Sequence, residues 1–444
     1  MTRFVDLKSA LPDMDVLEAP ADTARFVAGV RGETGKALAV LRPRTTSQLL
    51  TAIQALKILD IFYMPQGANT GLVGASIPDE TGTQVVISFD RMKEVFDVDI
   101  ENRSLRISAG FHLSEVNERL SEHGLHFPID LGSDPQIGGM IATNTGGGRF
   151  LRYGDVRRHV LGLDIVTDVG ELAQLGGPVR KANIGTDWKQ LAIGSGADFG
   201  IITQAVLNLE PITRQQSAAL VVPPNDAAIF PLLQALEQMA GPMLSAFEFM
   251  SQNAMNAAFD HVPSLRNPFA GGTVPQIALL IELTRPNQPV PWETDLDDVL
   301  QQMLMTMWEN GDVAIEDALF GRPDDMWALR HALSEGVRTA GKLYAFDLGF
   351  RRPDVLAFRQ AIQNELPDFA PGVTICDFGH VGDGGLHFNL VGSNETHSDQ
   401  FEQVLRDWVV EQAVERFGAS FSAEHGIGPK NIRYFEKYSP KRPF

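Results

Sequence analysis

The sequence predicts an α+β protein built from more than one domain, on three observations. The chain has 444 residues, more than a single ordinary hydrophobic core organises. Its second half repeats helix–strand–strand units, the pattern of antiparallel sheets layered with helices. Its first half concentrates three glycine-rich loops, each beside a strand, and such loops stop near Glu210. The expected domains are therefore 1–210 and 211–417, with a closing segment at 418–444.

Local pattern justifies each element in turn. "VLRPRTTSQLLTAIQALKILDIFYMPQG" predicts strand, helix and strand, with Thr46 or Ser47 near the N-cap and Leu49, Leu50, Ile53 and Leu56 at helical spacing. "TQVVISFDRMKEVFDVDIENRSLRISAGF" predicts three short strands. The next helix carries Leu113, Val116 and Leu120 on one face and ends at Gly124. "LDIVTDVGELAQLGG" predicts a strand pair. Beyond Glu210, "AIFPLLQALEQM", "DLDDVLQQMLMTMWENG", "DVLAFRQAIQNEL" and "SDQFEQVLRDWVVEQAVERFG" predict helices. "LSAFEFMS", "QIALLIELT", "KLYAFDLGF", "VTICDFGHV" and "LHFNLVG" predict strands. The helices are expected on one side of the sheet.

Composition narrows the class. Hydrophobic residues make up 44% and charged residues 21%, as in globular proteins. No apolar run approaches the length that spans a bilayer. The N-terminus lacks the basic and then apolar order of a secretory signal, and its early aspartates argue against a mitochondrial presequence. A cytoplasmic location is expected. The net charge of −19 opposes general affinity for nucleic acid or anionic membrane. Cys376 is the sole cysteine, so no internal disulfide forms, and its setting in "VTICDF" reads as core.

The glycine loops are "PQGANTGLVGAS" (65–76), "DPQIGGMIATNTGG" (134–147) and "IGSGADFGIIT" (193–203). Glycine lets backbone turn sharply and approach a ligand, and successive N–H groups there form an anion nest. The first loop matches neither the P-loop nor the G-x-G-x-x-G pattern. Singly each reads as a surface turn. Together they suit a long ligand with a pyrophosphate.

A second constellation begins at "FGHVGDGGLHFNL". Two strand-like runs flank a turn, so a hairpin sets His380 near His387. Alternation puts His387 and Asn389 on one face and Leu386, Phe388 and Leu390 on the other. "SAEHGIGPKN" adds Glu424 and His425. Two imidazoles and a carboxylate are a donor set for a divalent ion with open positions. The spacing His380-x6-His387 is not a standard zinc motif, so two hydrogen-bonded histidines at a turn stay an alternative. Arg330 and Ser334 sit one helical turn apart, and arginine suits a carboxylate. An exposed helix surface is the alternative there.

The order P-x-G-x-N-T-G-L-x-G, then I-G-G-x-I-A-T-N-x-G-G, then K-x-N-x-G-x-D with I-G-S and G-I-I-T resembles the FAD-binding domain of the vanillyl-alcohol oxidase and p-cresol methylhydroxylase (PCMH) superfamily. "GGGRFLRYGDVRRHVLGLDIV" (146–166) is similar to the D-2-hydroxyglutarate and D-lactate dehydrogenase branch. The resemblance implies a two-part PCMH-type FAD-binding domain followed by a substrate, or cap, domain of antiparallel sheet plus helices. It implies noncovalent FAD, since no histidine falls at the covalent-flavin positions. Gly67, Ala68, Asn69, Thr70, Gly71 and Leu72 would hold the pyrophosphate by backbone N–H, with Pro65 and Ser76 also cofactor-binding. Gly138, Gly139, Ala142, Thr143, Asn144, Gly146 and Gly147 would line the ribityl and isoalloxazine path, with Ile201 and Ile202 packed near the ring. His380, His387 and Glu424 would hold a divalent metal, Zn²⁺ first among candidates. His425 would be the base, and Arg330, Ser334 and Asn389 would contact substrate.

The implied reaction is oxidation of a D-2-hydroxy acid of the D-2-hydroxyglutarate, D-lactate or D-malate type to the 2-oxo acid, with hydride to flavin N5. Expected partners are that acid, an electron-transfer flavoprotein or quinone as acceptor, and a second copy of the chain. The alternatives are a non-catalytic flavin- or metal-binding relative, and an oxidase of a sugar or lactone on the same flavin domain. The paired histidines disfavour the last. The sequence departs from the family at Ala68, at Gly196 in place of a glutamate, at "NIGTD" (183–187), at Gly385 and at Ala345, where a lysine is implied. It also departs at its end, "EKYSPKRPF", where a further helix is implied.

Overall fold

The computed structural model describes residues 2–393 and 398–439. The last five residues of the expected closing segment, 440–444, lie outside the described residues. The chain divides into two compact units. One takes residues up to Gly147, Gly154–Ile212 and Glu424 onward; the other takes Gly148–Tyr153 and Thr213–Ala423.

The first unit holds two principal sheets. In one, Ala37–Arg42 and Tyr63–Gln66 flank Gln84–Ser88 in parallel, and Asp15–Leu17 adds an antiparallel edge. Helix Thr46–Ile58 connects the first two strands and buries Leu49, Ala52, Ile53 and Leu56 completely. Each such leucine contributes about 1.5–3 kcal/mol. Thr45, rather than Thr46 or Ser47, caps this helix: its hydroxyl accepts from the Gln48 N–H at 3.2 Å. Its extended backbone, φ −131° and ψ 158°, is what an N-cap needs. The other sheet is antiparallel, in the order Phe96–Asp99, Ser104–Ser108, Ile201–Asn208, Val160–Val166, Leu172–Gly176. Helix Leu113–Ser121 packs Leu113, Val116 and Leu120 into its core, and Gly124 follows at φ +67°.

The second unit is an eight-stranded antiparallel sheet. Its main path runs Asp317–Gly321, Gln215–Val222, Ile277–Arg285, Leu244–Ser251, Phe378–Gly379, Gly385–Gly392, Lys342–Gly349, and Thr374–Ile375 also pairs with Gly385–Gly392. The expectation of helices on one side is corrected here. Leu244–Ser251 is buried at every position, as is Ile277–Thr284. Helices Gln252–His261 and Pro323–Thr339 share a core with Ala218, Ala246 and Leu280. Alternation sends Ala219, Phe247 and Ile281, equally buried, to the opposite face, against Ile229–Ala240 and Leu296–Glu309. Near-continuous apolar runs are the signature of strands covered on both faces.

Glu282 interrupts one of these runs, and it is fully buried. Arg149 grips it bidentately, Nε to Oε2 at 2.8 Å and Nη2 to Oε1 at 2.9 Å. Ser245 donates at 2.6 Å and the Trp327 indole at 2.7 Å, and Gln216 donates as well. Burial alone would raise this carboxyl's pKa; Arg149 and the other donors hold it below its ordinary value. A folded pKa below the unfolded one stabilises at pH above about 4.5 and loses that contribution as pH falls. Glu282→Ala strands Arg149 and the Trp327 N–H, and should cost about 3–5 kcal/mol. Urea unfolding at pH 7 checks this, and the gap between variant and parent should narrow at pH 3.

Candidate functional site

In the first unit a cleft is walled by Pro65, Gln66, Gly67, Phe89, Ala109, Gln136, Gly138, Gly139, Ala142, Gly196, Ala197, Ile201 and Ile202. All three glycine loops contribute. Of the expected cofactor residues, Pro65, Gly67, Gly138, Gly139, Ala142 and Ile202 are in this wall, as is Ile201. Gln66, Phe89, Ala109, Gln136 and Ala197 were not foreseen.

Gln136 is the most informative of these. It is 1% exposed and its side-chain oxygen has no hydrogen-bond partner. Such an acceptor costs about 1–3 kcal/mol unless something donates to it. A flavin ring carries an imide N–H, so the wall fits one. The glycines divide by what surrounds them. A Cβ on Gly138 would lie 2.7 Å from the Ala109 Cβ, and one on Gly147 would lie 2.4 Å from the Asp130 carbonyl oxygen. These two allow close chain packing. A Cβ on Gly139 meets nothing within 4 Å, so this glycine leaves room in the cleft.

The remaining expected residues, Ala68, Asn69, Thr70, Gly71, Leu72, Ser76, Thr143, Asn144, Gly146 and Gly147, are not part of that wall. Asn69 adopts φ +57°, donates to the Ala28 carbonyl at 2.8 Å and accepts from Ser76 Oγ at 3.0 Å. Asn144 ends helix Ile137–Thr143 in the left-handed region, donates to Asp155 at 2.7 Å and accepts from the Arg157 N–H at 3.0 Å. Thr143 donates to the Gly139 carbonyl at 3.0 Å. These side chains shape the loops; contact with a ligand would come from their backbone.

In the second unit the histidine hairpin forms. Phe378 pairs with His387 across Phe378–Gly379 and Gly385–Gly392, and residues 380–384 turn between them. His380 Nε2 lies 3.3 Å from His387 Nε2. Leu386, Phe388 and Leu390 are buried as alternation requires. Asn389, 6% exposed, shares the other face with His387. Across the ladder, Ala345 faces Asn389 and Asp347 faces His387.

Each imidazole has a carboxylate on its Nδ1 side, within hydrogen-bond reach for His380 and farther off for His387. His380 Nδ1 is 2.7 Å from Glu248 Oε1, and His387 Nδ1 is 3.6 Å from Asp347 Oδ1. With a carboxylate on the Nδ1 side of each ring, the two Nε2 atoms face one another. That is how metal-ligating histidines are oriented, so the donor set fits a divalent cation.

The exposed helix surface held as the alternative for Arg330 does not apply, since this residue is buried, 7% exposed. Its Nε donates to Glu248 Oε2 at 2.8 Å and its guanidinium lies over the Phe378 ring. Ser334, one turn on, is exposed. Glu248 itself went unforeseen. Burial would raise its pKa, but contact with His380 and the Arg330 guanidinium outweighs this and lowers it to about 2. Its signal was available: a glutamate inside the apolar strand "LSAFEFMS" is a buried charge that must be paired. Cys376 is buried core, its thiol pushed up to about 12 by burial.

Glu424 and His425 open the C-terminal segment of the first unit. The residue before them, Ala423, donates its N–H to the Asp347 carbonyl at 3.1 Å. The turn after them is tightly held. Gly426 has φ +80°, its carbonyl accepts from Asn431, a Cβ on Gly428 would lie 2.0 Å from the Val73 carbonyl oxygen, and Lys430 pairs with Glu33 at 3.3 Å.

Comparison with known proteins places this geometry. A family described as FAD binding domain matches residues 37–176, and one described as FAD linked oxidases, C-terminal domain, matches residues 212–442. The chain is 30% identical to a D-2-hydroxyglutarate dehydrogenase of Xanthomonas citri, over 96% of this chain and 89% of that protein. It is 30% identical to the mitochondrial D-2-hydroxyglutarate dehydrogenase of Arabidopsis thaliana, over 89% of this chain and 68% of that protein. The solved structure of p-cresol methylhydroxylase with substrate bound superposes with a TM-score of 0.73 at 14% identity, covering 99% of this chain and 91% of that one. At that identity the likeness establishes the fold.

The expected cytoplasmic location is overturned. Relatives from Arabidopsis thaliana, rice, Danio rerio, Bos taurus and Rattus norvegicus are mitochondrial proteins by name. A lone buried cysteine and a net negative charge suit any reducing compartment, so neither singled out the cytoplasm.

The cleft generates its own test. Gly139→Leu fills the space beside Gln136 without meeting a neighbour at Cβ. The variant should fold with an unchanged far-UV spectrum and purify with a flavin-to-protein absorbance ratio well below that of the parent.

Proposed function

We infer that this chain, which belongs to the PCMH-type FAD-dependent dehydrogenases related to the D-2-hydroxyglutarate and D-lactate dehydrogenases, oxidises a D-2-hydroxy acid to the 2-oxo acid. The observation that carries this reading is the pair of carboxylate-backed imidazoles, His380 and His387, on the same sheet face as Asn389. The cleft of the first unit would hold FAD noncovalently, which would supply a two-electron acceptor at its N5. His380, His387 and Glu424 would hold a divalent ion, Zn²⁺ by preference, which would supply positive charge that eases loss of the substrate hydroxyl proton.

The remaining work belongs to side chains. His425 accepts the hydroxyl proton, a role that suits an imidazole because its ordinary pKa lies near neutrality. Arg330 offers the guanidinium edge not given to Glu248, and with Asn389 and Ser334 it orients the acid. Burial of Leu386, Phe388 and Leu390 holds the strand that carries His387 and Asn389. An electron-transfer flavoprotein or a quinone would be the electron acceptor.

The protein should be yellow and should bleach anaerobically with D- but not L-2-hydroxy acids. His425→Ala should keep FAD and metal yet reduce its flavin about 10²–10⁴-fold more slowly, read by stopped-flow absorbance. Bound FAD that no 2-hydroxy acid bleaches would point to a non-catalytic relative. Hydrogen peroxide formed with a sugar or lactone would point to an oxidase.

Position 345 bears on the substrate. Ala345 stands opposite Asn389 on the His387 face, where the family resemblance implies lysine. A methyl group neutralises no second carboxylate, so D-lactate-type monocarboxylates should be preferred over D-2-hydroxyglutarate. Ala345→Lys should move the ratio of kcat/KM values toward the dicarboxylate by about tenfold, the worth of about 1.5 kcal/mol for a hydrogen bond to a charged group. An unchanged ratio would place the distal end of the substrate elsewhere.

A further inference from the structure

We propose that Glu248 is a positioning residue that sets which nitrogen His380 presents to a metal and ties that histidine to the substrate-side arginine. This rests on the metal reading above. The case is geometric. Glu248 is 2% exposed and its two oxygens serve different partners: Oε1 meets His380 Nδ1 at 2.7 Å, and Oε2 accepts from Arg330 Nε at 2.8 Å. A carboxylate accepts only, so His380 must carry its proton on Nδ1 and turn its Nε2 lone pair outward. That lone pair points to within 3.3 Å of His387 Nε2. Glu248 therefore selects both the tautomer and the ring orientation.

Arg330 is fixed by more than Glu248. Its guanidinium lies over the ring of Phe378, which pairs with His387 across the ladder. Its helix, Pro323–Thr339, is pinned one turn earlier, where Trp327 donates to Glu282. Glu282 faces Ala246 and Glu248 faces Leu280, so the two carboxylates are diagonal neighbours on one sheet face. A helix held at Trp327 and Arg330 over that diagonal cannot shift without moving Glu248. Movement of the arginine and of the ligand histidine is thereby linked through one carboxylate.

Glu248→Gln separates this role from a merely structural one. The amide keeps an acceptor for the His380 Nδ1–H but has one oxygen, no charge, and no second acceptor for Arg330. Titration of the metal-stripped chain with Zn²⁺ against a chelating dye should show affinity weakened about 10–100-fold. KM for the acid should rise along with it. A structural ion pair alone would lower the melting temperature and leave the Zn²⁺ affinity of the folded chain unchanged, and that result overturns the proposal. His387→Ala is the control for the metal reading, and a wild-type chain that binds no Zn²⁺ overturns both. Histidine ¹⁵N NMR of the metal-free wild type keeps the idea testable if the variant does not fold. His380 should show the Nδ1–H tautomer, and an Nε2–H tautomer overturns the proposal.

Discussion

The second unit depends on two carboxylates buried in adjacent strands. Glu248 and Glu282 lie in the most enclosed part of the sheet, 2% and 0% exposed, where an unpaired charge would cost several kcal/mol. Each is satisfied by groups from distant parts of the chain. Glu282 draws in Arg149, Gln216, Ser245 and Trp327; Glu248 draws in Arg330 and His380. Hydrophobic burial stabilises the layers without fixing how they slide. These directional contacts set the register of helix Pro323–Thr339 on the sheet, and with it the place of Arg330 beside the hairpin.

The first unit solves a different problem with less charge. Its loops must approach a ligand closely and still hold a shape. Asn69 and Asn144 accept left-handed backbone, and their amides bond neighbouring chain. Gln66 donates to the carbonyls of Phe26 and Ser76 at 2.8 Å each. With side chains occupied in this way, the loop backbone is pre-set for a ligand, which reduces the ordering that binding must cost. Gln136 is the exception, buried with an acceptor held ready.

Much of this was legible in the sequence, and the gaps have physical reasons. Local period found the helices and strands because Leu113, Val116 and Leu120, or Leu386, Phe388 and Leu390, report their own face. The histidine hairpin followed from turn residues and alternation. Helices on both sheet faces were missed because an unbroken apolar run was not read as a doubly covered strand. The pairing of Arg330 with Glu248 was not foreseen because the two are 82 residues apart, and no local pattern joins them. Gln136 escaped because a glutamine before "IGG" looks like an ordinary loop residue until its burial is known. The residues most often missed are those whose role is fixed by a tertiary partner.

On the proposed reading, the charges also explain how an acidic chain would take an anionic acid. The net charge of −19 repels such a substrate at long range, so local charge must reverse the field. Arg330 does not do this by itself, because Glu248 cancels it at 2.8 Å. Asp347 beside His387 adds further negative charge to the same face. A site made of these groups alone would be close to neutral or acidic. On the proposed reading, a divalent cation on His380 and His387 turns that balance positive at the point where the hydroxyl and carboxylate must sit. The carboxylates behind the histidines then act twice. They flank the Nδ1 atoms of the imidazoles, and their negative charge would favour the cation on which an anionic acid depends.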